Sequence, residues 1–152
     1  MSASIAEKRL LAERKKWRRD HPYGFYARPN KSNIFEWNVG IPGKDGTIWE
    51  GAEFPLLVKF PKEYPAKPPH VRFISQIRHP NIFDSGDICL DILKDKWSPS
   101  LSVAQVLLGI QSLLDNPNVY DPTDYQLAQM YQKNREEYNK IVKVYVQKNL
   151  RE

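Results

Sequence analysis

One cysteine, Cys89, is the only thiol among 152 residues, so no disulfide can form within the chain and its stability has to come from packing. Histidine is nearly as scarce. His21, His70 and His79 are scattered and match no spacing used to hold a structural or catalytic metal. No stretch approaches the roughly 18 consecutive apolar residues of a membrane-spanning helix. The opening residues, with Glu7, Lys8 and Arg9 among the first nine, lack the apolar core of a secretory signal. Internal repeats and low-complexity linkers are missing too. These absences argue against a disulfide scaffold, a metal module, a helical membrane protein and a repeat array. A lone thiol fits a reducing compartment, and the expectation is a nuclear and cytoplasmic protein with no metal or organic cofactor and no membrane contact.

Hydrophobic residues make up 41% of the chain and aromatics 12%. At this length that is enough for one hydrophobic core, and we expect a single domain over 1–152. The net charge of +5 is unevenly spread. Residues 1–31 carry nine Lys/Arg against three Asp/Glu, and the remainder is close to neutral. A basic segment of this kind meets nucleic acid, an acidic membrane or an acidic protein face, or is simply a solvated helix surface.

Residues 3–19 predict a helix, free of Gly and Pro, with Ala3, Ala6, Leu10 and Trp17 at about helical spacing and Ser2 or Ser4 as the cap. His21-Pro22 ends it. Strand-like runs follow at 23–28, 34–41, 54–60 and 71–75, separated by turn-forming Pro29-Asn30, the glycines at 43 and 46, and the proline-rich 64–69. Consecutive strands joined by short turns predict an antiparallel meander. Val103, Val106, Leu107, Ile110, Leu113 and Leu114 then mark an apolar helix, capped by Ser102 and stopped by Asn116-Pro117. Two further helices are expected at 124–132 and 135–148. The fold class is α+β: an N-terminal helix, a four-stranded antiparallel meander, an active-site loop, a central helix and two C-terminal helices.

Between sheet and central helix lies the loop at 79–97, where Pro80 and Asp84-Ser85-Gly86 break any regular period. It holds Cys89, His79 and Asn81. Composition alone favours a packed structural cysteine, since free cysteine is among the most buried residue types. The order of residues points elsewhere. His79-Pro80-Asn81, then Gly86-Asp87-Ile88-Cys89-Leu90-Asp91-Ile92-Leu93, then Trp97-Ser98-Pro99 resembles the active-site segment of the ubiquitin-conjugating enzyme family. Tyr64-Pro65 through Pro68-Pro69, Asp115-Asn116-Pro117-Asn118 and Asp121-Pro122 fit the same family in order and distance.

The resemblance implies the α+β fold and a thioester mechanism. Cys89 would take the C-terminal glycine of a modifier from an activating enzyme, and a substrate lysine would attack that thioester to form an isopeptide bond. A thiol suits both steps, as a strong nucleophile near neutral pH whose esters stay reactive to amines. The lysine is the harder partner: with a pKa near 10.4 only about one in 2,500 is deprotonated at pH 7, a penalty of about 4.6 kcal/mol. Asp121 matches the acidic position that eases that proton loss, and Asn81 the asparagine that stabilises the oxyanion or braces the loop. A loop-bracing amide and a turn or cap carboxylate are the plain alternatives for the two. Asp87 and Asp91 would, if close to the sulfur, disfavour its thiolate. A cysteine hydrolase with His79 as base is a second reading of the same residues.

The modifier is indicated in two ways. Arg14 through Phe25, and Ile41 through Gly51, resemble the SUMO-conjugating branch; there Arg14, Arg18 and His21 would contact SUMO and its activating enzyme. His70, Arg72 and Ser85 would face the acidic end of a hydrophobic-Lys-x-Glu substrate motif. Residues 89–99 instead resemble ubiquitin-type enzymes and lack a short insertion before Trp97, while Phe83, Asp87 and Ala128 replace residues expected of a SUMO enzyme. Ala66 stands where many ubiquitin enzymes present a phenylalanine to RING-type ligases. The expected function is a divergent SUMO-conjugating enzyme, the alternative a ubiquitin-conjugating enzyme working with RING-type ligases. Its partners would be SUMO or a related modifier, the activating enzyme, ligases and lysine-bearing proteins, with the chain a monomer that binds no specific nucleic acid. A silent adaptor is disfavoured because Cys89, Asn81 and Asp121 are all present.

Overall fold

The computed structural model describes residues 2–151. Helix α1, Ile5–Arg19, opens with a capping box: the Ser4 hydroxyl accepts the Glu7 N–H at 3.1 Å, and the Glu7 carboxylate accepts the Ser4 N–H at 3.3 Å. Its buried stripe is Ala6, Leu10, Glu13 and Trp17. The sheet has β1 (Tyr26–Asn30), β2 (Asn33–Pro42), β3 (Glu53–Lys59) and β4 (His70–Phe73), antiparallel throughout and in sequence order. Alternation puts Trp37, Val39 and Ile41 of β2, Phe54, Leu56 and Val58 of β3, and Val71 and Phe73 of β4 in one core. Helix α2, Val103–Asp115, brings Val106, Leu107, Ile110, Leu113 and Leu114 to that core. Each such side chain contributes roughly 1.5–3 kcal/mol by leaving water.

A carboxylate within a buried stripe needs a partner, and Glu13 has one. Its Oε1 accepts the N–H of Val103, the first residue of α2, at 2.6 Å, where the helix dipole favours negative charge. Arg9, 3.8 Å from the other oxygen, donates to the carbonyls of Pro99 and Leu101. Helix α1 thereby fixes the start of α2 and the end of the active loop. Helices α3 (Tyr125–Lys133) and α4 (Arg135–Lys148) pack on each other, with Tyr131 edge-on to Tyr138 at 5.0 Å. Among the described residues no helix is long and apolar enough to cross a membrane.

The four strands and four helices match the expected order, with shifted edges. Residues 23–25 form a turn rather than the start of β1, because Gly24 takes φ +86° and the Phe25 N–H folds back to the Pro22 carbonyl. Pro29 and Asn30, expected in a turn, end β1. This is an edge strand, so the missing N–H of Pro29 costs no ladder bond. Strand β4 begins at His70 and stops at Phe73. Ser4, not Ser2, caps α1.

Candidate active site

The free edge of β4 is covered by the loop that carries the thiol. Phe73 N–H donates to the Gly86 carbonyl at 2.9 Å, and Arg72 pairs with Asp87 as an isolated bridge. Gly86 has φ +92°, and a Cβ there would lie 2.2 Å from the Phe73 carbonyl oxygen, so this approach requires glycine. Ile82 bridges both His79 and Ile88, giving the loop a hairpin-like base.

Beneath it sits His79, fully buried. Its Nε2 donates to the Leu113 carbonyl at 2.8 Å and its Nδ1 accepts the Asn81 N–H at 3.0 Å, a tautomer assigned from those partners. Both nitrogens are occupied, so the ring has no free atom to act as the base of a cysteine hydrolase, and that alternative is set aside. Burial pushes the His79 pKa down to about 4, against backbone hydrogen bonds that work the other way. An unfolded chain binds this proton near pH 6.5. The folded protein therefore keeps its full stability from this group above pH 6.5 and loses it as the pH falls toward 4. The loss should reach about 3 kcal/mol. In urea unfolding at pH 7 and pH 4.5, His79→Gln should be less stable than wild type at neutral pH and show a smaller further drop in acid.

Asn81 is also fully buried. Its Oδ1 accepts the Asn118 N–H at 2.7 Å, and its Nδ2 donates to the Asn118 carbonyl at 2.8 Å, with the Asp121 carbonyl at 3.5 Å. Its own carbonyl accepts the Cys89 N–H at 2.8 Å. One residue thus ties the backbone of the cysteine to the segment that carries Asp121. Pro80 adds to this by accepting the Thr123 N–H at 2.7 Å, and Arg78 grips Asp124, the cap of α3, through bonds of 2.8 and 3.3 Å. Asp121 itself is exposed.

Cys89 is half-buried, and its sulfur accepts a hydrogen bond from Lys94 Nζ at 3.0 Å. A single 3-10 turn, Asp91–Leu93, brings Lys94 back toward the sulfur. That hydrogen bond, first, and the electrostatic interaction with Cys89 raise the Lys94 pKa, with Asp121 and Asp95 adding to the effect. Cys89, Lys94 and Asp121 therefore share one electrostatic neighbourhood. Asp87, which with Asp91 would disfavour the thiolate if close to the sulfur, is committed elsewhere: it bonds His70 Nε2 at 2.6 Å and the Ser85 hydroxyl at 2.8 Å. The Ser85 hydroxyl first, then His70 and Arg72, hold the Asp87 pKa below the usual carboxylate value.

The sequence-predicted residues form three groups. Cys89, Asn81 and Asp121 meet at the loop. His70, Arg72 and Ser85 meet along the β4 edge, around Asp87. Arg14 and Arg18 line a groove of about 330 Å³ with Arg28 and Lys31, and His21 stacks on Trp17 with ring centroids 4.8 Å apart. Sequence reasoning missed Lys94. Its position five residues after Cys89 was visible, but the turn that returns it to the sulfur was not. Among the described residues no cluster of His, Cys, Asp and Glu is arranged to hold a metal.

A half-buried thiol on an amide-braced loop, in the same neighbourhood as an exposed carboxylate, is laid out to carry an acyl group within reach of a large partner. The chain belongs to the ubiquitin-conjugating enzyme family, whose model matches residues 9–146, and it is a transferase working through a cysteine thioester. It is 49% identical to the SUMO-conjugating enzyme Ubc9 of Dictyostelium discoideum over 148 residues, covering 93% of each chain. It is 44% identical to the SUMO-conjugating enzyme Ubc9 of Caenorhabditis elegans, covering 93% of this chain and 89% of that one.

Proposed function

We propose that the chain accepts SUMO on Cys89 from an activating enzyme and transfers it to substrate lysines, with Asn81 bracing the loop and Asp121 easing proton loss from the attacking amine. The observation that carries the choice of modifier is identity of 44–49% to two SUMO-conjugating enzymes across 93% of the chain. The basic α1 groove supports it. Arg14, Arg18, Arg28 and Lys31 line it together, four cations that an incoming acidic surface would meet. Arg14, Arg18 and His21 form the modifier and activating-enzyme face in this reading. The chain would act as a monomer in nucleus and cytoplasm.

Charging tests it. Purified protein is mixed with ATP and either SUMO plus its activating enzyme or ubiquitin plus its own, then separated with and without reductant. A reductant-sensitive adduct with SUMO alone is the expected result. An adduct with ubiquitin alone would overturn the choice of modifier and favour the ubiquitin-type residues at 89–99.

Asp87 bears on substrate choice. By pairing with His70 beside Arg72, it places a carboxylate where the acidic end of a substrate motif would be attracted. Exposed ion pairs of this kind are worth about 0.2–1 kcal/mol. Asp87→Asn should therefore lower the KM for hydrophobic-Lys-x-Glu peptides by about two- to fivefold, with little change for peptides that have Ala in place of Glu.

A further inference from the structure

An acceptor protein reaches Cys89 across a surface whose charge is opposite to that of α1. Residues 79–124, which carry the thiol loop and Asp121, hold seven Asp and no Glu against two Lys and no Arg, a formal charge of −5. We propose that this surface selects acceptor lysines set among other basic residues, arginine above all, in preference to lysines followed by glutamate. The proposal deepens the conjugating reading of Cys89 and rests on it.

Two of the seven carboxylates have partners, Asp124 in Arg78 and Asp87 in His70. Asp84, Asp91, Asp95 and Asp121 are exposed, and among the described residues none of these four has an ion-pair partner. Three of them belong to the surroundings of the sulfur. Asp91 opens the turn that follows Cys89, and its carbonyl accepts the N–H groups of Lys94 and Lys96, each at 2.9 Å. The charges of Asp121 and Asp95 both reach Lys94, whose Nζ lies 3.0 Å from Cys89 Sγ. On the β4 edge the cations an acidic acceptor residue would need are already taken up with Asp87: His70 bonds it at 2.6 Å, and the charge of Arg72 reaches it as well. A glutamate beside the acceptor lysine therefore meets carboxylates on this loop, whereas an arginine or a second lysine meets opposite charge.

Two aromatic side chains turn a preference for positive charge into one for arginine. Tyr120 and Tyr125 flank Asp121 in the chain and are 93% and 73% exposed. Tyr26, Tyr64, Tyr131 and Tyr145 each have a cation of the chain over the ring; among the described residues Tyr120 and Tyr125 have none. Their backbones are nevertheless held. The Tyr120 N–H donates to Asn118 Oδ1 at 3.0 Å, and Tyr125 opens α3 directly after its cap, Asp124. A planar guanidinium stacks on such a ring better than an ammonium does. Tyr120 immediately precedes the carboxylate proposed to receive the acceptor's proton, so an arginine stacked there keeps its neighbouring lysine close to the reacting centre.

The test uses the full chain, charged by the activating enzyme and modifier that load it and then freed of ATP. Discharge is followed onto peptides that share one acceptor lysine and differ only two residues after it, in Arg, Lys, Ala or Glu. At low salt kcat/KM should fall in that order, with about tenfold or more between Arg and Glu, carried mainly in KM. The gap should shrink in about 0.5 M salt, where exposed charges are screened. The triple variant Asp84→Asn, Asp91→Asn, Asp95→Asn should close most of it while loading stays as in wild type. The double variant Tyr120→Ser, Tyr125→Ser should remove an advantage of Arg over Lys of about twofold or more. A Glu peptide used as well as the Arg peptide, or an Arg preference that survives both salt and the triple substitution, would overturn the inference, with loading still attesting the conjugating function. An Arg-to-Lys ratio unchanged in the tyrosine variant would overturn the part given to the rings. Failure to load either SUMO or ubiquitin would remove both readings.

Discussion

Cys89→Ala is expected to lose all modifier adduct in the charging assay, the largest effect any single substitution should have on this protein. Among the described residues Cys89 is the free cysteine, and no second thiol exists in the chain to take over. Its position in the loop is fixed through the backbone, by the 2.8 Å bond from its N–H to the Asn81 carbonyl, so alanine should fold normally and fail only in chemistry. Cys89→Ser separates these two possibilities. A hydroxyl in the same place should give an adduct that survives reductant, formed more slowly because an alcohol is the weaker nucleophile and more persistent because an oxygen ester resists amines. Thermal unfolding of all three proteins should agree to within about 1 kcal/mol, the range of a mild substitution. An adduct that persists in Cys89→Ala would place the acyl group elsewhere and end the assignment.

Asp121→Ala is expected to leave charging nearly intact and slow transfer to a substrate lysine by about 100-fold, the lower end of what a positioned acid or base contributes. The side chain is exposed, so its removal opens no cavity. The backbone around it is held independently, by Asn81 through Asn118 and by Thr123 on the Pro80 carbonyl. The deficit should be greatest at low pH, where the substrate amine is most fully protonated and has most to gain from an adjacent acceptor. Single-turnover transfer from preformed thioester, measured between pH 6 and pH 9, separates this step from loading. Equal loss in loading and transfer would make Asp121 a structural residue and leave the amine to be deprotonated by other means.

Asn81 shows why these two residues have to be read together. Its resemblance to an oxyanion-stabilising amide was legible, as was the plainer possibility of a loop brace. In the folded chain its oxygen and one amide hydrogen are engaged by Asn118, partners 37 residues away that no local pattern indicates. In this state its visible work is to hold Cys89 and the Asp121 segment together. A role at the oxyanion would fall to the second amide hydrogen, which the Asp121 carbonyl holds only loosely at 3.5 Å.

The sequence by itself determined the order of the elements and singled out the one thiol. The periodic apolar positions of α1 and α2, the capping residues Ser4 and Ser102, and the alternation along β2 and β3 are local properties that a short window of residues carries. A single cysteine within a family motif could be named without coordinates. The edges of β1 were less legible, because whether Pro29 is tolerated in a strand depends on whether that strand has a neighbour on both sides. Tertiary structure alone decided which side chains meet. It turned Lys94 onto Cys89, drew Asp87 to His70 instead of to the sulfur, and consumed both nitrogens of His79. The physical reason is range: periodicity and capping are set by neighbours within a turn or a pleat, whereas the electrostatics of the site depend on contacts made only after the loop docks on the free edge of β4 and on the end of α2.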